Sequence, residues 1–410
     1  MGLGKRKRMY CGPPGIHLES IIPSRRPGAL AEYFNGNSIY YTATCRTALK
    51  KTCDLLDLKN GSRVLVPAYN CGSEIDVFIK ANLEIVPYRI KADAAIDLDD
   101  VLRKIDKKTR VIVTTHFFGF PVGIPGLTEI CNEFELFLIE DCAHALFSRI
   151  GEKKLGSFGD IAVFSIPKTL GVPDGGLLVV NNPRLVDKDW SVIPRPTTKI
   201  IYGLLPLLKT SVLQAGNKVP LLNGLFPPRS PLSGRRSSGV PDSPPLSRPA
   251  IPQDYYYVEE LTDRRMSWVT RLLTRGINVD QIVQRRRNNY RILDTLIKNA
   301  DGMERLFTEL PKGVCPLYYP VKITQRDGVA GILLSRGIRA ISWWKGYHAG
   351  FPWEEFPEAC HLKDSVLALP VHQDLAEEQV LYIGRQLLQV VDRPEGGQGQ
   401  LGRRQGSSQC

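Results

Sequence analysis

Between Ser38 and about Asn182, short apolar, β-branched runs alternate with helical stretches, and no other feature of the chain limits its fold as strongly. The runs are Ser38–Thr42, Arg63–Pro67, Leu83–Tyr88, Arg110–Thr115, Leu136–Glu140, Ile161–Ser165 and Gly176–Val180. Helical patterns lie between them at Thr47–Leu56, Glu74–Ala81, Leu98–Ile105 and Leu127–Phe134. Runs that stay apolar without a polar alternation mark strands buried on both faces. Strands alternating with helices build a mostly parallel, helix-covered sheet. The expected fold class is therefore α/β.

The pattern stops near residue 183. Pro, Ser, Gly and Arg dominate 226–252, a loop or linker composition. The longest apolar stretch, Ile200 to Leu213, is broken by Pro206 and Lys209 and falls short of a membrane span. It reads as a buried helix or a segment lying at a surface. Helical character returns over 255–300, followed by a strand at Leu317–Ile323, a helix near Gly328–Arg336, a strand near Val366–Leu369 and a final helix at Leu375–Val391. The expected division is a basic, disordered lead-in (1–20), a large domain (21–182), an insert or linker (183–254), a smaller C-terminal α+β domain (255–392) and a disordered tail (393–410).

A chain of 410 residues suits one enzyme subunit of two lobes. Its net charge of +12 gathers at Lys5–Arg8, in 229–248, at Arg285–Arg287 and at Arg403–Arg404. Such clusters serve as solvated faces or attract a phosphorylated substrate. No basic stripe is interleaved with aromatics, so a nucleic-acid partner is not expected. The nine cysteines include no C-x-x-C pair, and residues 1–20 carry no apolar signal core. Reduced thiols in a cytoplasmic setting follow as the expectation, without a zinc site. His348, His361 and His372 match no metal-ligand spacing, and no metal is expected.

Three local features carry chemistry. Asp141 ends an apolar strand in Glu140-Asp141-Cys142-Ala143-His144. Ligands of open α/β sheets bind outside such strand ends, although an Asp there also reads as a plain helix cap. Ser165 ends another strand, and Lys168 follows in a loop closed by Gly175-Gly176. A lysine desolvated at a strand end becomes nucleophilic, whereas an exposed loop lysine does not. Thr44-Cys45-Arg46-Thr47 opens a helix after a strand, an arrangement that suits a phosphate or simply caps the helix.

In that order and spacing the features resemble the DegT-type nucleotide-sugar aminotransferases, a branch of the fold-type I enzymes that use pyridoxal 5′-phosphate (PLP). The resemblance runs over about 38–182 and returns more faintly over 263–391, at Asp263–Ser267, Arg285–Tyr290 and Leu369–Gln373. It implies PLP bound covalently through Lys168, which would also move the proton between donor and acceptor carbons. It implies Asp141 on the pyridine nitrogen, His144 near the ring, and Ser165 with the Cys45-Arg46-Thr47 turn on the phosphate. Tyr69 lies in the segment that supplies an aromatic stacking on the ring. An amino donor such as glutamate, a keto-sugar acceptor and a homodimer with sites at the interface complete the expectation.

The chain also departs from that pattern. Cys45-Arg46 stands where Gly-Thr is usual, and the Ser-to-Lys spacing is two residues shorter. Cys71 aligns with the stacking position better than Tyr69. Asp263 replaces an Asn that reaches the partner's phosphate, a role left to Arg264 or Arg265. Trp343-Trp344 would line a sugar or lipid site or fill the core. Another PLP-dependent reaction (elimination, racemisation) and a non-catalytic scaffold touching a membrane surface through 200–213 remain as alternatives.

Overall fold

The computed structural model describes residues 9–16, 28–186, 193–194, 197–218 and 250–392. Its large sheet holds β1 (Ser38–Thr42), β2 (Arg63–Pro67), β3 (Glu84–Tyr88), β4 (Thr109–Thr115), β5 (Phe137–Asp141), β8 (Ile161–Ser165) and β9 (Gly176–Val180), after a hairpin of β6 (Arg149–Ile150) and β7 (Lys153–Lys154). The spatial order is β1-β9-β8-β5-β4-β2-β3. β3, β2, β4, β5 and β8 are mutually parallel; β9 runs against β8, and β1 against β9. The expected strands thus appear within a residue or so of their boundaries.

Burial on both faces explains why those strands read as unbroken apolar runs. β8 sends Ile161 and Val163 into one core, and Ala162 and Phe164 into the other. β9 divides Leu178 and Val180 from Leu177 and Val179 in the same way. Each fully buried Val, Leu or Phe side chain contributes roughly 1.5–3 kcal/mol. Helices α1 (Ala29–Tyr33), α2 (Cys45–Leu55), α3 (Ser73–Lys80), α4 (Leu98–Lys104), α5 (Ile124–Glu133) and the short α6 (Ile166–Thr169) belong to this lobe. α2 starts where Thr44 leaves the helical region and its hydroxyl accepts from the Thr47 amide at 3.1 Å.

The smaller lobe follows α8 (Trp268–Leu273). It contains α9 (Val279–Ile297), β11 (Met303–Arg305), β12 (Tyr318–Ile323), α10 (Arg326–Ser335), β13 (Ile341–Ser342), α11 (Pro357–Ser365), β15 (Val366–Pro370) and α12 (Glu377–Val391). Its sheet is antiparallel, in the order β11-β12-β15-β13. A separate two-strand pair joins β10 (Ala250–Ile251) to β14 (Tyr347–His348).

Two expectations from the sequence need correction. Residues 9–16 were assigned to a disordered lead-in, but they form a strap on the small lobe. Cys11 is fully buried, its N–H donates to Gly337 O at 2.9 Å, and Arg339 N–H donates to Cys11 O at 3.0 Å. Part of the 183–254 insert is also regular: α7 (Thr197–Lys218) is a helix of 22 residues despite Pro206. It packs where Ser211 Oγ accepts from the Ile16 amide at 2.8 Å and Gln214 Nε2 donates to Pro13 O at 2.8 Å. The strap and α7 fold because each supplies the other's polar partners, which neither sequence shows alone. The rest of the lead-in (1–8 and 17–20), residues 187–192, 195–196 and 219–249 of the insert, and the tail (393–410) lie outside the described residues.

Long-range bonds fasten the lobes together. Asp76 Oδ1 lies 2.7 Å from His348 Nε2, both side chains buried. Lys363 Nζ donates to Asn70 O at 2.8 Å, and Tyr69 Oη to Trp343 O at 2.8 Å. The deepest tie is Arg286. Its guanidinium donates to Thr169 O (2.7 Å), Pro316 O (3.1 Å), Leu317 O (3.1 Å) and Gln373 Oε1 (2.8 Å). Each buried acceptor stranded by its removal costs about 1–3 kcal/mol. Arg286→Met is expected to lower stability to chemical denaturation by at least about 3 kcal/mol; an unchanged unfolding curve would show that water replaces the guanidinium freely.

Candidate active site

The carboxyl ends of β4, β5 and β8 meet the start of β9 and the N-terminus of α2 around one cavity of about 270 Å3. This is where an open α/β sheet offers a crevice to a ligand. Thr44, Cys45 and Arg46 line one side, Asp141 and His144 the floor, and Ser165 and Lys168 another wall. Cys71, Ser73 and Glu74 from the start of α3 close it, with Trp344 reaching in from the small lobe. Residues spread over some 300 positions of sequence are thereby brought within one small volume.

Local structure aims each group. Pro167 sits in the first turn of α6, and Lys168 follows on it. Lys168 Nζ lies 2.9 Å from His144 Nε2. Burial, and then Lys168 beside it, hold the His144 pKa well below its usual value. The ring is therefore neutral and accepts from the amine at Nε2, leaving its proton on Nδ1. That buried Nδ1 has no hydrogen-bond partner among the described residues. Ser165 makes no capping bond to α6, so its hydroxyl is left for the cavity. Cys45 and Arg46 are the first residues of α2, whose first-turn amides have no acceptors inside the helix. Gly176 allows the close approach this requires, since a Cβ there would overlap the Thr44 carbonyl.

Asp141 is the acid that faces the cavity; its neighbour Glu140 points the other way. Glu140 accepts from the amides of Gly156 (2.8 Å), Phe158 (2.6 Å) and Gly159 (2.7 Å) and lies 3.0 Å from His116 Nε2. Those partners hold its carboxyl below the ordinary range against its burial. His116, Glu140 and Cys142 are close enough to hold a metal ion, but Glu140 is already saturated by these bonds. Asp141 has fewer donors: among the described residues only the Ala143 amide, at 2.9 Å, donates to its side chain. Burial and then the Glu74 carboxylate push its pKa up to about 6, while Lys168 pulls against them. Burial raises the Cys71 thiol to about 12 and the Cys45 thiol well above its usual value, so neither supplies a thiolate nucleophile.

Thr47 and Tyr69 do not join the lining. Thr47 backs the turn, its hydroxyl donating to Leu261 O at 2.8 Å. Tyr69 is fully buried, with its ring centroid 5.0 Å from Phe117 and 4.9 Å from Trp344. Cys71 occupies the cavity edge instead, and Trp344 is the aromatic of the lining. The Trp343-Trp344 pair splits its roles: Trp343 is buried against Phe118 and Tyr318, while Trp344 meets the cavity. Asp263 pairs with Lys51 at 2.9 Å, and Arg264 donates to Pro194 O at 3.0 Å. Glu74 and Asp174 were not anticipated. Glu74 accepts from Cys71 Sγ (3.1 Å) and Ser73 Oγ (3.2 Å); its position in the first turn of a helix reads in sequence as ordinary dipole pairing. Asp174 accepts from Ser267 Oγ (2.8 Å) and Thr270 Oγ1 (2.6 Å), fixing α8 to the loop after Lys168.

Comparison with known proteins agrees with this geometry. The family model of the DegT/DnrJ/EryC1/StrS aminotransferases matches residues 28–192. GDP-perosamine synthase of Vibrio cholerae is 33% identical over 144 residues, 34% of this chain and 39% of that enzyme. A dTDP-4-dehydro-2,3,6-trideoxy-D-glucose 4-aminotransferase of Saccharopolyspora spinosa is 30% identical over 193 residues, 46% of each chain. The matches thus span less than half the length of these curated relatives. Among solved structures, Helicobacter pylori PseC, an aminotransferase of pseudaminic acid biosynthesis, superposes with a TM-score of 0.66 at 18% identity, covering 94% of this chain and 99% of its own. The PLP form of the sugar aminotransferase Spr1654 from Streptococcus pneumoniae gives 0.66 at 16% identity, covering 94% and 99%. At such identities the likeness establishes the fold alone, the α/β fold that these solved aminotransferases share.

The raised Asp141 pKa gives a signed expectation for the cofactor-free protein. Unfolded, the carboxyl ionises near its ordinary value; folded, it ionises at about 6. The group therefore favours the fold fully below the unfolded value, and that contribution is lost as pH rises through about 6. Relative to the parent, Asp141→Asn should gain about 2 kcal/mol of stability between roughly pH 4 and pH 7. Unfolding curves across that range check it; a pH-independent difference would place Asp141 in a wetter site.

Proposed function

We propose that the chain is a PLP-dependent aminotransferase of the DegT/DnrJ/EryC1/StrS family, whose model matches residues 28–192, moving an amino group from an amino acid, glutamate foremost, to a keto sugar. A nucleotide-linked sugar destined for cell-surface polysaccharide is the acceptor this reading favours. The observation that carries it is the convergence of Lys168, Asp141, His144, Ser165 and the start of α2 on one cavity.

The residues present fit the cofactor. The Ser165 hydroxyl and the first amides of α2 suit a phosphate, helped by the helix dipole and by Arg46. Asp141 suits a protonated pyridine nitrogen: a buried carboxyl short of donors gains a cation, which restores its ionised form. The unpartnered Nδ1 of His144 is a polar atom awaiting a ligand. Trp344 and the His144 ring, 5.6 Å apart, suit a flat aromatic group beside them. When bound, PLP would supply the electron sink that stabilises charge on the substrate carbon.

The chain's own groups then have definite tasks. Lys168 would hold the cofactor through Nζ, and the same amine would serve as the base and acid that moves a proton between the donor and acceptor carbons. Asp141 keeps the pyridine nitrogen protonated. His144, kept neutral, accepts from the Lys168 amine at Nε2 and fixes where it points. Small Cys71 in place of a stacking aromatic leaves space that the small lobe fills with Trp344. We place the functional unit as a homodimer, with Asp263 neutralised by Lys51 so that it does not repel a neighbouring phosphate.

The direct test is release of 2-oxoglutarate when PLP-loaded protein meets glutamate, followed by screening of keto sugars. Lys168→Ala should lower amine transfer by at least about a thousandfold, within the range of a lost general acid–base group. Asp141→Asn should lower it while leaving covalent attachment at Lys168. Undiminished transfer in Lys168→Ala would remove the lysine from the reaction.

A further inference from the structure

α7 presents an apolar stripe to solvent. Tyr202 is 74% exposed, Leu205 56%, Ile201 53% and Leu208 47%, with Val212 continuing the line. At helical spacing, residues 201, 205, 208 and 212 fall on one face. The opposite face is engaged: Ser211 and Gln214 bond the strap at residues 13–16, and a Cβ built on Gly203 would lie 3.0 Å from Pro173. Pro173 lines the catalytic cavity, so the helix rides on the cavity wall. The helix is about 33 Å long at 1.5 Å per residue. Among the described residues no helix is long and apolar enough to cross a membrane. This one is built to lie along a surface.

Charge identifies the surface. Thr197–Lys218 contains three lysines and no acid. Residues 190–249 hold eight Lys or Arg against the single acid Asp242, a surplus of seven out of the chain's +12. Lys209 stands exposed within the apolar stripe. A second copy of this chain is a poor fit, because an isologous contact would set the same basic face against itself, and Lys is depleted from such interfaces. An anionic bilayer fits both properties. Apolar side chains enter the acyl boundary, lysines meet headgroups, and a tyrosine suits the interface between them.

We propose that α7 docks the chain on an anionic lipid bilayer through Ile201, Tyr202, Leu205, Leu208 and Val212. The catalytic cavity is then held at the membrane, where an acceptor carried on a lipid would be within reach. The docking itself is independent of the aminotransferase reading.

Full-length protein is mixed with vesicles of phosphatidylcholine alone or with about a quarter phosphatidylglycerol, and pelleted. Pelleting with the anionic vesicles, weakened by salt, is expected. In Leu205→Asp/Leu208→Asp it should fall by about tenfold or more, with melting temperature unchanged because both positions are exposed. Absence of binding to anionic vesicles would overturn the proposal. So would full pelleting of the double variant, which would assign binding to the basic segment alone. A parent that dissociates into monomers when these two residues are changed, with no dependence on lipid, would show a second copy as the true occupant and overturn it equally.

Discussion

Arg286 is the interaction on which the arrangement of the molecule depends. Its guanidinium is fully buried, and the hydrogen bonds recorded for it go to carbonyl oxygens and the Gln373 amide rather than to a carboxylate. One arm holds Thr169 O, the residue next to Lys168; the other holds the entry to β12 in the small lobe. Gln373 doubles the grip, donating to the same Thr169 oxygen at 3.3 Å. The loop that carries the lysine is thus a joint between lobes. A buried cation lacking a counter-charge is costly unless its donors are well used. Here four such bonds meet that cost, and they fix where Lys168 stands.

Around that joint the cavity balances charge closely. Asp141 and Glu74 face Lys168 and Arg46 across one small cavity, and burial strengthens the repulsion between the two carboxylates. Asp141 answers by holding its proton up to about 6, and His144 by staying neutral. Both responses leave groups short of partners, namely a carboxyl with little support and a ring nitrogen with none. A planar ring that offers a cationic nitrogen to the carboxyl and a hydrogen-bond acceptor to Nδ1 would satisfy them together.

What the sequence revealed and what it hid follow from range. Strands buried on both faces need apolar residues at consecutive positions, so β2, β4, β5, β8 and β9 are plain in the sequence, and with them the strand ends at Asp141 and Ser165. The lysine three residues beyond Ser165 is equally local. Trp344 was named but could not be placed, because its position depends on how the small lobe closes. Glu74 sits at a helix start where acids are common, and its meaning comes only from Asp141 and Lys168 nearby. Tyr69 misled because the chain bends after β2, a turn that buries Tyr69 in the core and brings Cys71 to the cavity. The strap at 9–16 was missed as structure, and Ile200–Leu213 was left open between a buried helix and a surface segment, since strap and α7 bond each other across some 200 residues.

The central claim is that Lys168 holds the cofactor covalently in this cavity. It is tested most directly by loading the full chain with PLP, reducing with borohydride and mapping the modified lysine by mass spectrometry. A visible absorption band that reduction abolishes, with the added mass on the peptide carrying Lys168 alone, is the predicted result. No band, or label on another lysine, would contradict the account and leave the cavity without the chemistry assigned to it.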